Sequence, residues 1–160
     1  MLKVFFTACL ICAGATLPAT AQGVAIEAPW ARASAGTAKA AAVYLGMTNL
    51  GDSIEKLVKV ESPAATSLEL RARQIDGGAW RAKSLSYIEV TPGDPTMLEP
   101  GGAHIALLGL KEPLIAGGKF PLTLSFESGK NATVQVTVRP AAATSGPPAH
   151  LPRVAAKPSK

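Results

Sequence analysis

Apolar and polar residues alternate along much of the chain, and this alternation predicts β-strands. The clearest segments are KFPLTLSFE at residues 119–127 and ATVQVTVR at residues 132–139, which the turn sequence SGKN separates. Residues 54–60 (IEKLVKV) alternate apolar and charged side chains, as a half-buried strand does. These segments therefore predict three strands, two of which form a hairpin.

Shorter or more continuous apolar segments also fit strands. Residues 68–75 and 79–90 flank Asp76-Gly77-Gly78, which is a typical hairpin turn sequence. No segment has apolar residues at helical spacing, and Gly and Pro residues occur in the turns between the predicted strands. This pattern predicts an all-β fold, an antiparallel Greek-key β-sandwich. The remaining predicted strands are residues 24–27, 41–48 and 103–108.

The two ends of the chain differ in composition from the middle. Residues 1–21 have Lys3, an apolar run and a terminal Ala-Thr-Ala, which predicts a secretory signal peptide cleaved before Gln22. Residues 22–139 are then the folded domain. Residues 140–160 are rich in Ala, Pro and Lys and have few large apolar residues, so we expect a disordered tail. The exported protein is expected to be periplasmic, with no membrane span after cleavage.

Both cysteines, Cys9 and Cys12, lie inside the predicted signal peptide, so the mature chain would have no thiol. Neither is preceded by the residues of a lipoprotein signal, and we therefore expect no lipid anchor. Removal of residues 1–21 leaves 15 basic and 11 acidic residues, a net charge of +4. Because these charges form no basic run, we do not expect nucleic acid to bind.

The mature chain would contain two histidines, His104 in the apolar stretch GGAHIALLGL and His150 in the tail. No catalytic triad, phosphate loop or HExxH sequence accompanies them, and the acidic residues form no evident pair. We therefore do not expect an enzyme. The chemistry that remains to be considered is metal binding at His104.

A series of short motifs runs through residues 24–138, from APWAR at 28–32 and AAVY at 41–44 to EPGGAH at 99–104 and LLGL at 107–110. These motifs resemble the PCuAC family of periplasmic copper chaperones. The resemblance implies a cupredoxin-like or immunoglobulin-like β-sandwich that carries Cu(I) to the copper centres of cytochrome oxidase. Oxidase subunits or other copper-handling periplasmic proteins are the partners that it implies.

The resemblance also implies four copper ligands at fixed spacing, a His, a Met and a later His-x-Met pair. Thioether sulfur and imidazole nitrogen suit Cu(I), and residues i and i+2 of a strand share one face. The spacing is kept, but His104 is the one position that holds the family's residue type. Arg71 stands at the first His position, Ala82 at the first Met position and Ala106 at the second Met position.

Alanine has no donor atom, and arginine is a permanent cation without a lone pair to donate. We therefore expect copper binding to be weak or absent. Met97, which precedes the turn before His104, is a possible substitute ligand, whereas we interpret Met47 as a core residue. Nothing in the sequence directs His150 towards the site.

A two-residue turn at Gly77-Gly78 would put residues 71, 73 and 75 on the same face as residues 80, 82 and 84. Arg71 is then predicted near Trp80 and Ala82 and, if the family fold applies, near His104. Three roles remain open: a cation–π contact with Trp80, a stem that covers the ligand pocket, or an anion site shared with Arg73.

Two functions accordingly remain open. The protein is either a copper chaperone-like protein with a weakened site, or a periplasmic protein-interaction module that has lost metal binding.

Overall fold

The structure is a computed structural model that describes residues 20–21 and 23–144. Most of the predicted signal peptide, most of the predicted tail and His150 lie outside the described residues. Within the described part, no helix is long and apolar enough to cross a membrane.

The described residues form eleven strands. Their bounds are β1 Thr20–Ala21, β2 Val24–Arg32, β3 Ala40–Asn49, β4 Glu55–Glu61, β5 Ala65–Asp76, β6 Ala79–Leu85, β7 Ile88–Val90, β8 Thr96–Leu98, β9 His104–Leu110, β10 Lys119–Phe126 and β11 Asn131–Arg139.

The strands are hydrogen-bonded in the order β6-β5-β9-β3-β2-β11-β10-β4-β7, with β1 on β2 and β8 on β3. Buried residues alternate with more exposed ones along β10 and β11, and one core cluster combines buried apolar side chains from strands of both halves of this path. Leu45 and Leu107 of one half belong to the same core cluster as Leu57 and Leu122 of the other. The predicted all-β sandwich is therefore confirmed. β11 and β2 run parallel to each other, whereas the other strand pairs are antiparallel.

The prediction of a single strand at residues 79–90 was wrong, because these residues form two strands. The chain forms β6, leaves the hairpin through Ser86 and Tyr87, and then forms β7, which pairs with β4 in the other half of the sandwich. The pattern of apolar residues does not predict that the chain changes its pairing partner from β5 to β4. The three-residue strand β8 was not predicted, because it is too short to show an alternation.

The β5–β6 hairpin projects beyond the core. Every residue from 73 to 84 is exposed, although the two strands remain paired as far as Asp76 and Ala79 at the turn. β6 pairs with β5 and, among the described residues, with no other strand. One side of the hairpin is therefore an open sheet edge.

Asn49 is a buried polar residue that ties the end of β3 to the loop and strand beside it. Its Nδ2 donates to the carbonyl oxygens of Ser53 and Val90, both at 2.8 Å, and its Oδ1 accepts from the backbone N–H of Gly51 at 2.9 Å. A buried amide is stable only when its hydrogen bonds are made. These three bonds hold the segment that leads into β4.

Replacing Asn49 should therefore destabilise the fold. We expect Asn49→Ala to lower the free energy of unfolding by about 3 kcal/mol, because three hydrogen bonds of about 1 kcal/mol each are lost. Chemical denaturation of the variant measures this loss. Thr123→Ala, which removes an exposed hydroxyl pair with Thr133, is the control. A loss no larger than that of the control would contradict the role assigned to Asn49.

Candidate functional site

The candidate site lies on the outer face of β3 and β9, which is turned away from the core. Val43, Leu45 and Met47 point from β3 into the core, which confirms the interpretation of Met47. Side chains of a strand alternate between its two faces. Because residues 43, 45 and 47 face the core, residues 44 and 46 face outward. This face carries the histidine and the other candidate residues.

His104 is the first residue of β9 and is half-buried. Its ring lies 6.4 Å from that of Tyr44, which in turn lies 4.8 Å from the ring of Trp30. The Nδ1 atom is 3.1 Å from the carbonyl oxygen of Gly102. Because a carbonyl oxygen can only accept, this hydrogen bond requires a proton on Nδ1, and the lone pair of the neutral ring is then at Nε2. His104 therefore presents one donor atom to a ligand.

The strand register brings three of the four family ligand positions together. Arg71 is directly opposite His104, and Ala106, two residues further along β9, is opposite Glu69. Ala82 lies across the hairpin from Arg73, and this pair is two residues nearer to the turn than Arg71 and Ser84. The prediction that Arg71 lies near His104 is therefore confirmed. The prediction that residues 71, 73 and 75 share a face with residues 80, 82 and 84 is confirmed as well.

Arg71 is bound within the site by an acid that the sequence analysis did not consider. Its Nε donates to Oε2 of Glu69 at 3.0 Å, and its Nη2 is also 3.0 Å from this oxygen. The hydroxyl of Ser84 donates to the same Oε2 at 2.9 Å. The charge of Arg71 is therefore balanced by a carboxylate of its own strand.

The prediction that Arg71 lies near Trp80 was wrong, and this removes the cation–π contact from the three roles left open for Arg71. The register pairs Trp80 with Ile75, four residues from Arg71 and thus about 13 Å along the strand. Arg73 takes the cation–π contact instead, with its guanidinium carbon 5.3 Å from the centre of a Trp80 ring.

The hydrogen bonds from Ser84 and Arg71 lower the pKa of Glu69 below its ordinary value. Glu69 is consequently a carboxylate at neutral pH, and it forms an ion pair with Arg71. A neutral pair of this kind now occupies the surface where the family pattern expects a neutral imidazole.

Met97 lies on the same outer face as His104. β8 and β9 both run antiparallel to β3, and Met97 is opposite Gly46. A side chain added at Gly46 would bring its Cβ within 3.1 Å of the Met97 sulfur, so the glycine leaves room for the thioether. If the β3–β9 register is continued by one residue, His104 lies opposite Tyr44. The positions on β3 opposite His104 and Met97 are then two residues apart, which is about 7 Å along the strand. The sequence suggested Met97 because it is near His104 along the chain, but only the pairing of β8 gives the shared face.

In the part of the chain that the structure describes, acidic and imidazole groups do not form a separate metal site. Among residues 23–144, no three His, Cys, Asp or Glu side chains are grouped so that they could hold a metal ion. Cu(I) coordination on this face would therefore depend on His104 and on a thioether.

Comparison with known proteins identifies the family of this chain. The sequence profile described as "Putative lipoprotein LpqE-like" matches residues 24–138. The chain belongs to the LpqE-like family. A relative in Leifsonia xyli subsp. xyli (strain CTCB07), named "Putative lipoprotein Lxx21020", is 37% identical over 131 residues, covering 77% of this chain and 78% of the relative. Cys9 and Cys12 lie outside the described residues, so the absence of a lipid anchor in this LpqE-like protein stays a prediction.

Solved PCuAC structures share the fold of this LpqE-like protein. The apo PCuAC domain from PmoF1 has a TM-score of 0.63 and 28% identity, covering 74% of this chain and 94% of that domain. The Cu(I) form of DR1885 from Deinococcus radiodurans has a TM-score of 0.58 and 29% identity, covering 79% and 83%. The copper-bound PCuAC domain from PmoF2 has a TM-score of 0.65 and 23% identity, covering 76% and 96%. The resemblance to the PCuAC family is therefore confirmed.

The ion pair predicts a pH dependence. Since the pKa of Glu69 is lower in the folded state, the unfolded state binds more protons, and stability rises with pH. The contribution of Glu69 should be complete above its unfolded pKa and lost as the pH falls through its folded pKa. The wild type should therefore lose stability as the pH falls from about 6 to about 3. We expect Glu69→Gln, which cannot titrate, to lose less stability over this range.

Unfolding by denaturant at a series of pH values measures this effect. Glu99→Gln is the matched control, because the Glu99 side chain makes no hydrogen bond or ion pair within the described part of the chain. Parallel pH profiles for the wild type and Glu69→Gln would show that the ion pair does not stabilise the fold.

Proposed function

We propose that this LpqE-like protein is an exported copper chaperone-like protein whose site binds Cu(I) weakly, through His104 and Met97. The observation that carries the proposal is the shared outer face of these two residues, with Nε2 of His104 available as a donor. The solved Cu(I) form of DR1885 supports the choice of metal.

Weak binding follows from the number of donors. A tight Cu(I) site holds the metal through several donors that are already in position, and imidazole and thioether are suitable ones. Ala82 and Ala106 offer none. Arg71 offers a cation, although Glu69 balances its charge, so Cu(I) meets little net repulsion at this position. Two donors can therefore hold Cu(I), but less firmly than the four of the family pattern.

We further propose the compartment and the recipient. Residues 1–21 would direct export and be removed, residues 22–139 would form the domain, and residues 140–160 would be a tail. The domain would act in the periplasm. Its recipients would be copper centres of cytochrome oxidase or other copper-handling proteins, as the family resemblance implies. A weak site suits a carrier that must release its cargo, because the rate of release rises as affinity falls.

A second function is favoured by the ion pair itself. Arg71, Glu69 and Ser84 satisfy one another without a metal. Such a site is compatible with a domain that has lost copper binding and acts as a protein-interaction module. The two functions differ in whether His104 and Met97 together bind Cu(I).

A Cu(I) titration of the mature chain against a series of competing chelators separates these functions. We expect one equivalent of Cu(I) to bind in competition with the weaker chelators, and His104→Ala or Met97→Ala to abolish this binding. Met47→Leu is the matched control, since Met47 is fully buried in the core and its thioether should not contribute. No displacement of any chelator would leave the interaction module as the function.

Restoring the family ligands provides a test of the site's position. The triple variant Arg71→His, Ala82→Met, Ala106→Met should bind Cu(I) more tightly than the wild type by at least about a hundredfold, because it has more donors on one face. The same titration measures the gain. An unchanged affinity in a folded triple variant would show that these positions do not form the site.

A further inference from the structure

The positive charge of the folded domain is concentrated on the β5–β6 hairpin. Residues 23–144 contain twelve basic and eleven acidic residues, a net charge of +1. Residues 71–83 of the hairpin contain four basic residues and a single acid, Asp76, a net charge of +3. The rest of the domain is therefore slightly acidic, and the hairpin is its basic projection.

Two of these basic residues have no acidic partner within the described part of the chain. Arg71 is paired with Glu69, and Arg73 lies over Trp80, but Arg81 and Lys83 make no ion pair there. Both are exposed on β6. Their charges are thus available to an anionic partner.

The same hairpin exposes two large apolar side chains. Ile75 and Trp80 are directly opposite each other, and they are 63% and 59% exposed. They share one face with Arg73, which stacks on the indole. Exposed tryptophan beside arginine is typical of residues that contribute strongly to binding in protein interfaces.

β6 is also a sheet edge, with backbone N–H and C=O groups that its partner β5 cannot use. A segment added to this edge would form main-chain hydrogen bonds, and its side chains would alternate between the two faces. The hairpin offers Trp80 on one face and Arg81 and Lys83 on the other, because alternate residues of a strand point to opposite sides. An added strand can contact both sets at once.

We propose that an extended acidic segment of a partner protein adds to the open edge of β6, with Trp80 as its apolar contact and Arg81 and Lys83 as its charge partners. A lipid surface is flat and could contact only one of the two faces. A second copy of this chain would bring two basic hairpins together, and like charges on adjacent strands destabilise the pair. The proposal does not depend on copper binding.

The test uses the mature chain and a fluorescent octapeptide that alternates glutamate with valine. We expect it to bind, and amide exchange at residues 79–85 to slow in the bound state. Trp80→Ala and the double variant Arg81→Glu, Lys83→Glu should each weaken binding by about tenfold or more. The double variant Lys111→Glu, Lys119→Glu, which makes the same charge change away from the hairpin, should bind as the wild type does.

Three control probes separate strand addition from the other occupants. The peptide with lysine in place of glutamate should not bind, and the acidic peptide with alternate backbone nitrogens methylated should bind at least about tenfold more weakly, because N–H groups are lost. Phosphatidylglycerol vesicles should not bind in preference to the acidic peptide. The Cu(I) affinity of the hairpin variants should equal that of the wild type, so a failed copper titration leaves this test intact.

Several results would overturn the proposal. No binding of the acidic peptide up to about 1 mM at low salt would do so, since this limit corresponds to about 4 kcal/mol. If the methylated peptide bound as tightly as the unmethylated acidic peptide, main-chain hydrogen bonds would not contribute, and charge attraction alone would explain the binding. Preferential binding of the vesicles, or a dimer of the chain that forms through β6, would assign the edge to another occupant.

Discussion

The pairing of β9 with β3 on one side and β5 on the other determines the arrangement of the outer face. It puts Arg71 opposite His104 and Glu69 opposite Ala106, and it leaves β8 to continue along β3 with Met97. The register cannot slip by one residue, because such a slip would turn Ile105 and Leu107 out of the core. Core packing therefore holds the candidate ligands in place, although none of them lies in the core.

The Arg71–Glu69 pair explains how the fold retains this face without the family's donors. Both side chains are partly exposed, so their desolvation is small, and water screens the attraction between them. The pair therefore contributes modestly to stability, while Ser84 adds a third contact that orients the carboxylate. Arg71 consequently has a charge partner at a position where other members are expected to hold a histidine. The charge that would repel Cu(I) is balanced by the residue two positions away.

Local alternation was sufficient to predict most of the fold, because most strands bury one face in a single core. It was sufficient for residues 119–127 and 132–139, which correspond to β10 and β11. It was not sufficient for residues 79–90, where the chain changes its partner from β5 to β4 without a change in apolar pattern.

The same limit applies to the site. The hairpin turn implied which residues share a face, but the contact of Arg73 rather than Arg71 with Trp80 depends on how far apart the pairs lie along the strands. Glu69 was overlooked as a partner because an acid at i−2 is a common pattern in exposed strands. The place of Met97 could not be predicted, because β8 and β3 are far apart along the chain and three residues show no periodicity.

The candidate copper site lies beside the base of the β5–β6 hairpin, and the open edge of β6 is part of that hairpin, but the two depend on different physical properties. The site depends on the lone pairs of His104 and Met97, on β9 and β8, beside the part of β5 that is paired with β9. The edge depends on unpaired backbone groups and positive charge towards the tip, where the core no longer contacts the strands. Basic residues on an edge strand discourage pairing with another copy of the same chain. The same charges favour an acidic strand, so protection against self-association and selection of a partner can arise from the same two side chains, Arg81 and Lys83.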